Sequence, residues 1–219
     1  MLDLSPETQE QSFDVLKSII EYIDFSEILP FVNDIWVDIF TCMISEPTDK
    51  YLKSLVVFMS LFVVKHGEAD VVCSLNKFDQ NMFPTILEDI WTPFMIKITR
   101  PKEMKLVVVA TTKLITETPW LLEPSSSIHW GKLLDNIITL VSQLEKESVV
   151  EEPESPEILQ NEADPLREIT DPKKFVVDSL GRLSSGSPGI YPQIIVEHVE
   201  EGNQKTLLQL CDVYNRRIV

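Results

Sequence analysis

The eleven residues between Lys53 and Lys65 carry no charge, and nearly all of them are apolar. They lie inside TDKYLKSLVVFMSLFVVKHG, residues Thr48 to Gly67. Thr48 or Asp49 can accept a backbone N–H from a first helical turn. Lys65, His66 and Gly67 place cations at the negative helix end, followed by a left-handed stop. The pattern predicts a helix that is apolar all the way round, and such a helix is buried, in a core or in a membrane. A bilayer needs ~20 apolar residues, so no membrane span is expected here. Protein must cover this helix on more than one face, and the rest of the chain reads as that cover.

The flanking stretches carry helical signals in sequence order. Ser5-Pro6-Glu7 is a start signal for a helix from about Thr8 to Tyr22, with Phe13, Leu16, Ile19, Ile20 and Ile23 at helical spacing. A second helix covers FSEILPFVNDIWVDIFTCMIS, where Pro30 ends one helix or starts another near Phe31. A short segment follows from Ala69 to about Leu75. In NMFPTILEDIWTPFMIKI, Pro84 and Pro93 should each bend or restart the helix. RPKEMKLVVVATTKLITETP is locally ambiguous. Val107, Val108, Val109, Thr111 and Thr112 favour a strand. Pro101, Glu103 and the stop at Pro119 favour a helix, which we adopt. IHWGKLLDNIITLVSQL is an amphipathic helix, Asp171-Pro172 caps DPKKFVVDSLGRLSS, and helices follow near YPQIIVEHV and over QKTLLQLCDVYNRRI. The last of these is expected to hold Arg216 and Arg217 in its final turn. With only 6 glycines, a hairpin-rich β fold is disfavoured.

Residues 145–171 differ in character. They hold 10 acids, 2 bases, Pro153, Pro156 and Pro165, and no aromatic residue. Such a segment cannot bury enough apolar surface to offset its ordering entropy, so it reads as an exposed, mobile insertion. The expected organisation is residues 1–144 as HEAT-like helix pairs, 145–170 as the acidic insertion and 171–219 as terminal HEAT-like helices. Net charge is −16, which repels phosphates, so neither nucleic acid nor an anionic membrane is expected as a direct partner. A basic protein partner fits better. The start, MLDLSPETQE, is polar and acidic and does not read as a signal peptide. Cys42, Cys73 and Cys211 form no CxxC and read as reduced, mostly buried thiols of a nuclear or cytosolic protein.

TDK at Thr48, RPK at Arg100 and DPK at Asp171 each open a helix after an amphipathic one. The first two starts are 52 residues apart and the next two 71. Without the acidic insertion the second interval is roughly 45, within the ~40–47 residue period of HEAT-like repeats. In such a solenoid a helix between two neighbouring repeats is buried on both sides. A globular bundle is the alternative on periodicity alone.

No chemistry-bearing motif stands out. His66, His129 and His198 lack metal-ligand spacing, and there is no GxSxG, Walker loop or GxGxxG. No cofactor and no enzymatic activity are expected. Glu88 and Asp89 are adjacent and point apart on a helix, which suits a solvated face. Trp36, Trp91, Trp120 and Trp130 are interface-anchor candidates, set against the commoner reading as core or turn packing. Ser148 and Ser155 suit phosphorylation in an acidic loop, or simply solvate a linker.

The runs SFDVLKSIIEYI, IWVDIFTCMI and TDKYLKSLVVFMSLFVVKHG resemble the C-terminal HEAT repeats of the exportin-2 (CAS) family. NMFPTILEDIWTPFMIKIT, KEMKLVVVATTKLITETP, the acidic break and DPKKFVVDSLGRLSSGSPG continue the resemblance in order. It covers the chain from about residue 8 onward. The resemblance implies an all-α, α-solenoid fold and an importin-β-like karyopherin. That family carries importin-α from nucleus to cytoplasm in complex with RanGTP. The implied partners are importin-α and the Ran GTPase in its GTP form, and the implied location is nucleus and cytoplasm. Met1 falls near the family's last quarter, and the N-terminal repeats that supply much of the Ran contact are not in this sequence. The alternative is a stand-alone helical scaffold or a truncated product without transport activity. An acidic stripe would favour the transport reading, and an even charge distribution the scaffold.

Overall fold

The computed structural model describes residues 6–44, 47–147 and 166–219. Among these residues the chain is all-helical, with no strand. It divides into two compact units, Met1–Ile98 and Thr99–Val219.

The first unit is assembled on the apolar run. Its helices are α1 (Pro6–Tyr22), α2 (Phe25–Ile28), α3 (Val32–Ile44), α4 (Asp49–His66), α5 (Glu68–Asn76), α6 (Met82–Ile86) and α7 (Thr92–Met95). α4 is the predicted all-apolar helix. Thr48 is extended, and its side chain accepts from the Tyr51 N–H at 3.1 Å. Every residue from Leu55 to Val63 is buried, Ser60 included. The Ser60 hydroxyl donates to the Val56 carbonyl at 2.7 Å, so the one hydroxyl in this run is satisfied. The cover is supplied by α1, α5 and α7 of the same unit, and by α3 through Trp36.

The rings pack as a continuous cluster around α4. Phe13 meets Tyr51 edge-on at 5.1 Å, and Trp36 meets Phe58 at 5.7 Å. The Tyr51 hydroxyl donates to the Ile39 carbonyl at 2.8 Å, and burial raises its pKa strongly. Such ring pairs add about 0.5–1.5 kcal/mol each beyond their buried area.

One detail of this unit departs from the sequence expectation. Gly67 ends α4 at φ 92°, ψ 159°, so it is not a left-handed helical cap. It takes an extended conformation at positive φ that glycine alone adopts freely, and it starts α5 directly. As expected, one helix ends and another begins around Pro30: α2 stops at Ile28 and α3 starts at Val32. The chain tightens into a 3-10 turn over Leu29–Phe31 and resumes as α3. Pro84 lies in the first turn of α6, where its missing N–H costs nothing. Pro93 follows a π-turn over Leu87–Trp91. The wider turn accommodates a ring that would otherwise strike the carbonyl four residues back.

The second unit has α8 (Pro101–Glu117), α9 (Ser127–Glu147), α10 (Pro172–Gly186), α11 (Ile190–His198) and α12 (Glu201–Val213). 3-10 turns at Pro119–Leu122 and Pro124–Ser126 join α8 to α9. α8 resolves the strand–helix ambiguity as a helix. Thr111 and Thr112 donate to the Val107 and Val108 carbonyls at 2.7 Å, so β-branched residues sit buried in a helix with their hydroxyls satisfied. α9 and α10 flank α8, and α11 and α12 pack on α9. Gly131 permits the α9–α11 contact: a Cβ there would lie 2.3 Å from the His198 Cβ. The DPK start is confirmed in detail, with Asp171 accepting from the N–H groups of Lys173 and Lys174 at 2.9 and 3.1 Å. The RPK start has no side-chain cap at Arg100. α9 extends to Glu147 and Leu166 is buried, while residues 148–165, most of the expected acidic insertion, lie outside the described residues.

The final helix is shorter than its sequence suggests. It ends at Val213, and Arg216 and Arg217 lie beyond it rather than in its last turn. Asn215 turns left-handed at φ 50°. The Arg216 N–H bonds to the Cys211 carbonyl at 2.8 Å and the Asn215 N–H to that of Asp212 at 3.2 Å. This is a Schellman close with Asn in the place usually held by Gly. The chain then folds back over α10.

Candidate partner-binding surfaces

The polar residues singled out in the sequence stay apart. His66 stacks on Phe25 at 4.1 Å and meets Phe62 edge-on at 4.9 Å. Burial lowers its pKa, opposed by Asp70. His129 stands beside Trp120 at 5.4 Å, and His198 Nε2 is 3.8 Å from Glu197. Among the described residues no group of three or more His, Cys, Asp or Glu is placed to hold a metal. Glu88 and Asp89 are exposed on the π-turn. Trp36, Trp91 and Trp130 are core residues, and Trp120 is half-buried. The thiols are not mostly buried as expected: Cys211 is buried, Cys42 is intermediate and Cys73 is exposed. Cys73 sits on the solvent side of a short amphipathic helix, where sequence spacing alone gave no warning. Ser148 and Ser155 lie outside the described residues. No helix of the described residues is long and apolar enough to cross a membrane.

What the structure offers instead is surface. Residues 1–98 carry 16 acidic and 6 basic side chains. α3 turns Asp34, Val37, Asp38 and Thr41 outward on one face, and α1 exposes Asp14, Val15, Ser18 and Tyr22. Asp34 and Asp38 make no ion pair among the described residues. Between these helices Phe31 is 61% exposed, and Tyr22 at the end of α1 is 62% exposed. Asp14 pairs with Lys17 at 2.8 Å, and large apolar side chains set among exposed carboxylates suit a partner that is both basic and apolar.

The second unit presents a different surface. Residues 166–171, α10 and the folded-back tail enclose an open groove of about 1000 Å³. The Tyr214 hydroxyl donates to Asp171 at 2.6 Å; burial, then that bond, pushes its pKa up to about 12. Asp178 accepts from Arg216 and Lys174, each at 2.5 Å, and those bonds hold its carboxyl below the usual range. Val219 N–H donates to the Ser184 hydroxyl at 3.2 Å. Sequence reasoning missed this groove because it extended α12 through Arg217. The signal that could have found it is Asn215, a residue that tolerates the left-handed turn.

Residues 2–210 match the family model described as CAS/CSE protein, C-terminus. Exportin-2 of Drosophila melanogaster is 25% identical over 233 residues, covering 98% of this chain and 24% of that protein. Exportin-2 of Xenopus laevis is 28% identical over 208 residues, covering 87% of this chain and 21% of that protein. The solved structure of the exportin Cse1 in its cargo-free, cytoplasmic state aligns with a TM-score of 0.72 at 20% identity, covering 95% of this chain and 22% of that one. That likeness shows the fold, the all-α helical-repeat architecture that the family resemblance implies. The chain spans about a quarter of the length of the curated relatives it matches.

Proposed function

We infer the function from one premise: this chain belongs to the CAS/CSE protein C-terminal family, which its residues 2–210 match. It is the C-terminal segment of a karyopherin-type nuclear export receptor. It acts by binding protein on its helical-repeat surface, not by catalysis. The partners are importin-α and Ran in the GTP form, and the working locations are nucleus and cytoplasm. The family match carries the reading, and the curated exportin-2 relatives at 25% and 28% identity support it. The carboxylates exposed on α1 and α3 give a basic partner a complementary field, which speeds and orients docking.

A receptor that grips its cargo at separated places gains affinity through effective concentration. One segment alone forgoes that gain. The affinity expected for importin-α is therefore about micromolar or weaker, with little cooperativity with RanGTP. A pull-down of importin-α by the immobilised chain, with and without RanGTP, tests this. Salt-sensitive capture of importin-α is the expected result. No capture in either condition would leave a helical scaffold without transport activity as the better reading.

A further inference from the structure

The groove of the second unit has the opposite character to the acidic faces of the first. Residues 172–219 hold 6 basic against 5 acidic side chains, a near balance in a chain of net charge −16. Within the groove the balance of available charge tips further. Lys174, Arg182, Arg216 and Arg217 all line it. The acids that line it are Glu168, Asp171 and Asp178. Asp171 is committed to the α10 cap and to Tyr214, and Asp178 to Lys174 and Arg216. Glu168 is exposed and makes no ion pair among the described residues. Arg182 bonds only a hydroxyl, that of Ser179, at 3.1 Å. Arg217 is exposed and makes no ion pair among the described residues. Phe175 contributes an apolar wall, and Ser185 a hydroxyl.

We propose that this groove is a docking site for an acidic linear peptide of a partner protein, whose carboxylates pair with Arg182 and Arg217 while an apolar side chain rests on Phe175. Charge complementarity is the argument. Of the groove's carboxylates Asp178 is paired with Lys174 and Arg216, and Asp171 is held by N–H groups and the Tyr214 hydroxyl, so four cations face three acids and Arg182 and Arg217 keep their pairing capacity for a ligand. At physiological ionic strength a field reaches ~8 Å, so the ligand senses these arginines rather than the net charge of the whole chain. The site is separate from the importin-α reading and does not depend on it.

The test uses the full chain and a fluorescein-labelled peptide of alternating glutamate and leucine, followed by fluorescence anisotropy. The peptide should bind, more weakly as salt rises. The double change Arg182→Glu and Arg217→Glu should reduce affinity by about tenfold or more. Lys132→Glu, an exposed charge change on α9, should leave it as it was. Arg182→Gln with Arg217→Gln removes charge without reversing it and should show a smaller loss in the same direction, which separates a lost site from a lost fold. Backbone amide shifts on binding should concentrate at residues 178–185 and 215–219. Absent binding, equal affinity in the arginine variants, equal loss with Lys132→Glu, or equal binding of a lysine–leucine peptide would overturn the proposal.

Discussion

α4 and α8 are each buried over most of their length, yet their units are fastened differently. Around α4 the contacts are rings on rings: Phe13, Phe58, Phe62 and Trp36 meet at centroid distances of 5.7–6.4 Å. Among its directional bonds the Tyr51–Ile39 bond joins α4 to α3. Each unit buries polar atoms without a hydrogen-bond partner, Trp36 Nε1 and His66 Nε2 in the first, Thr118 Oγ1 and Ser126 Oγ in the second. Around α8 and α9 the joints are polar and specific. Trp130 Nε1 donates to the Ile115 carbonyl at 2.7 Å. Asp135 accepts from the Glu200 N–H at 2.8 Å and from Asn203 at 2.9 Å, so a residue of α9 caps the start of α12. The first unit is held by area, which tolerates small repacking, and the second by geometry, which does not.

The strongest challenge to this contrast is Met59→Asp. It places a charge at a fully buried point of α4 with no partner. The cost is several kcal/mol against a total of ~5–15, so the first unit should lose its cooperative melt. A variant that melts like the parent would show that α4 is not the centre of the unit.

Gly131→Ala comes next. The new Cβ meets the His198 Cβ, part of the side chain closest to the backbone, which cannot swing away. We expect a loss of about 1–3 kcal/mol, read by denaturant unfolding. Gly186→Ala, with nothing near its Cβ position, is the internal control.

A paired substitution sharpens the comparison. Trp36→Phe and Trp130→Phe remove similar volume from fully buried sites. Only the second breaks a hydrogen bond and strands the Ile115 carbonyl. Trp130→Phe should therefore cost about 1–2 kcal/mol more than Trp36→Phe. Equal losses would mean that the polar joints of the second unit contribute little.

The smallest effect is pH dependence at His66. Its folded pKa lies below the ordinary value near 6.5, so the unfolded chain binds the proton more readily. The stability that the neutral, stacked ring supplies is complete above ~6.5 and declines as pH falls through the folded pKa. His66→Phe should flatten the stability profile below about pH 6.5.

These same details show where sequence reading succeeds and where it stops. α4 was legible because its determinants are local: Thr48 at one end, Lys65 to Gly67 at the other, and an uncharged run between them. α10 was legible for the same reason, since Asp171 and Pro172 act within one turn. The tail was not. Asn215 reverses the chain only because Arg216 finds Asp178, Tyr214 finds Asp171 and Val219 finds Ser184, all from elements distant in sequence. Pro93 announced a disturbance, but the π-turn that absorbs it depends on how Leu87, Ile90 and Trp91 bury themselves. The acidic character of residues 1–98 could be counted in advance. Which carboxylates stand exposed on α3 could not, because that requires the face that packs on the rest of the unit.

The central claim is that this chain binds importin-α through complementary charge. Calorimetric titration of importin-α into the chain at low and at physiological salt, each with and without RanGTP, tests it most directly. The account predicts a dissociation constant around micromolar or weaker, a marked loss of affinity as salt rises, and little change on adding RanGTP. Absence of heat under every condition, or binding that is tight and strictly RanGTP-dependent, would contradict it.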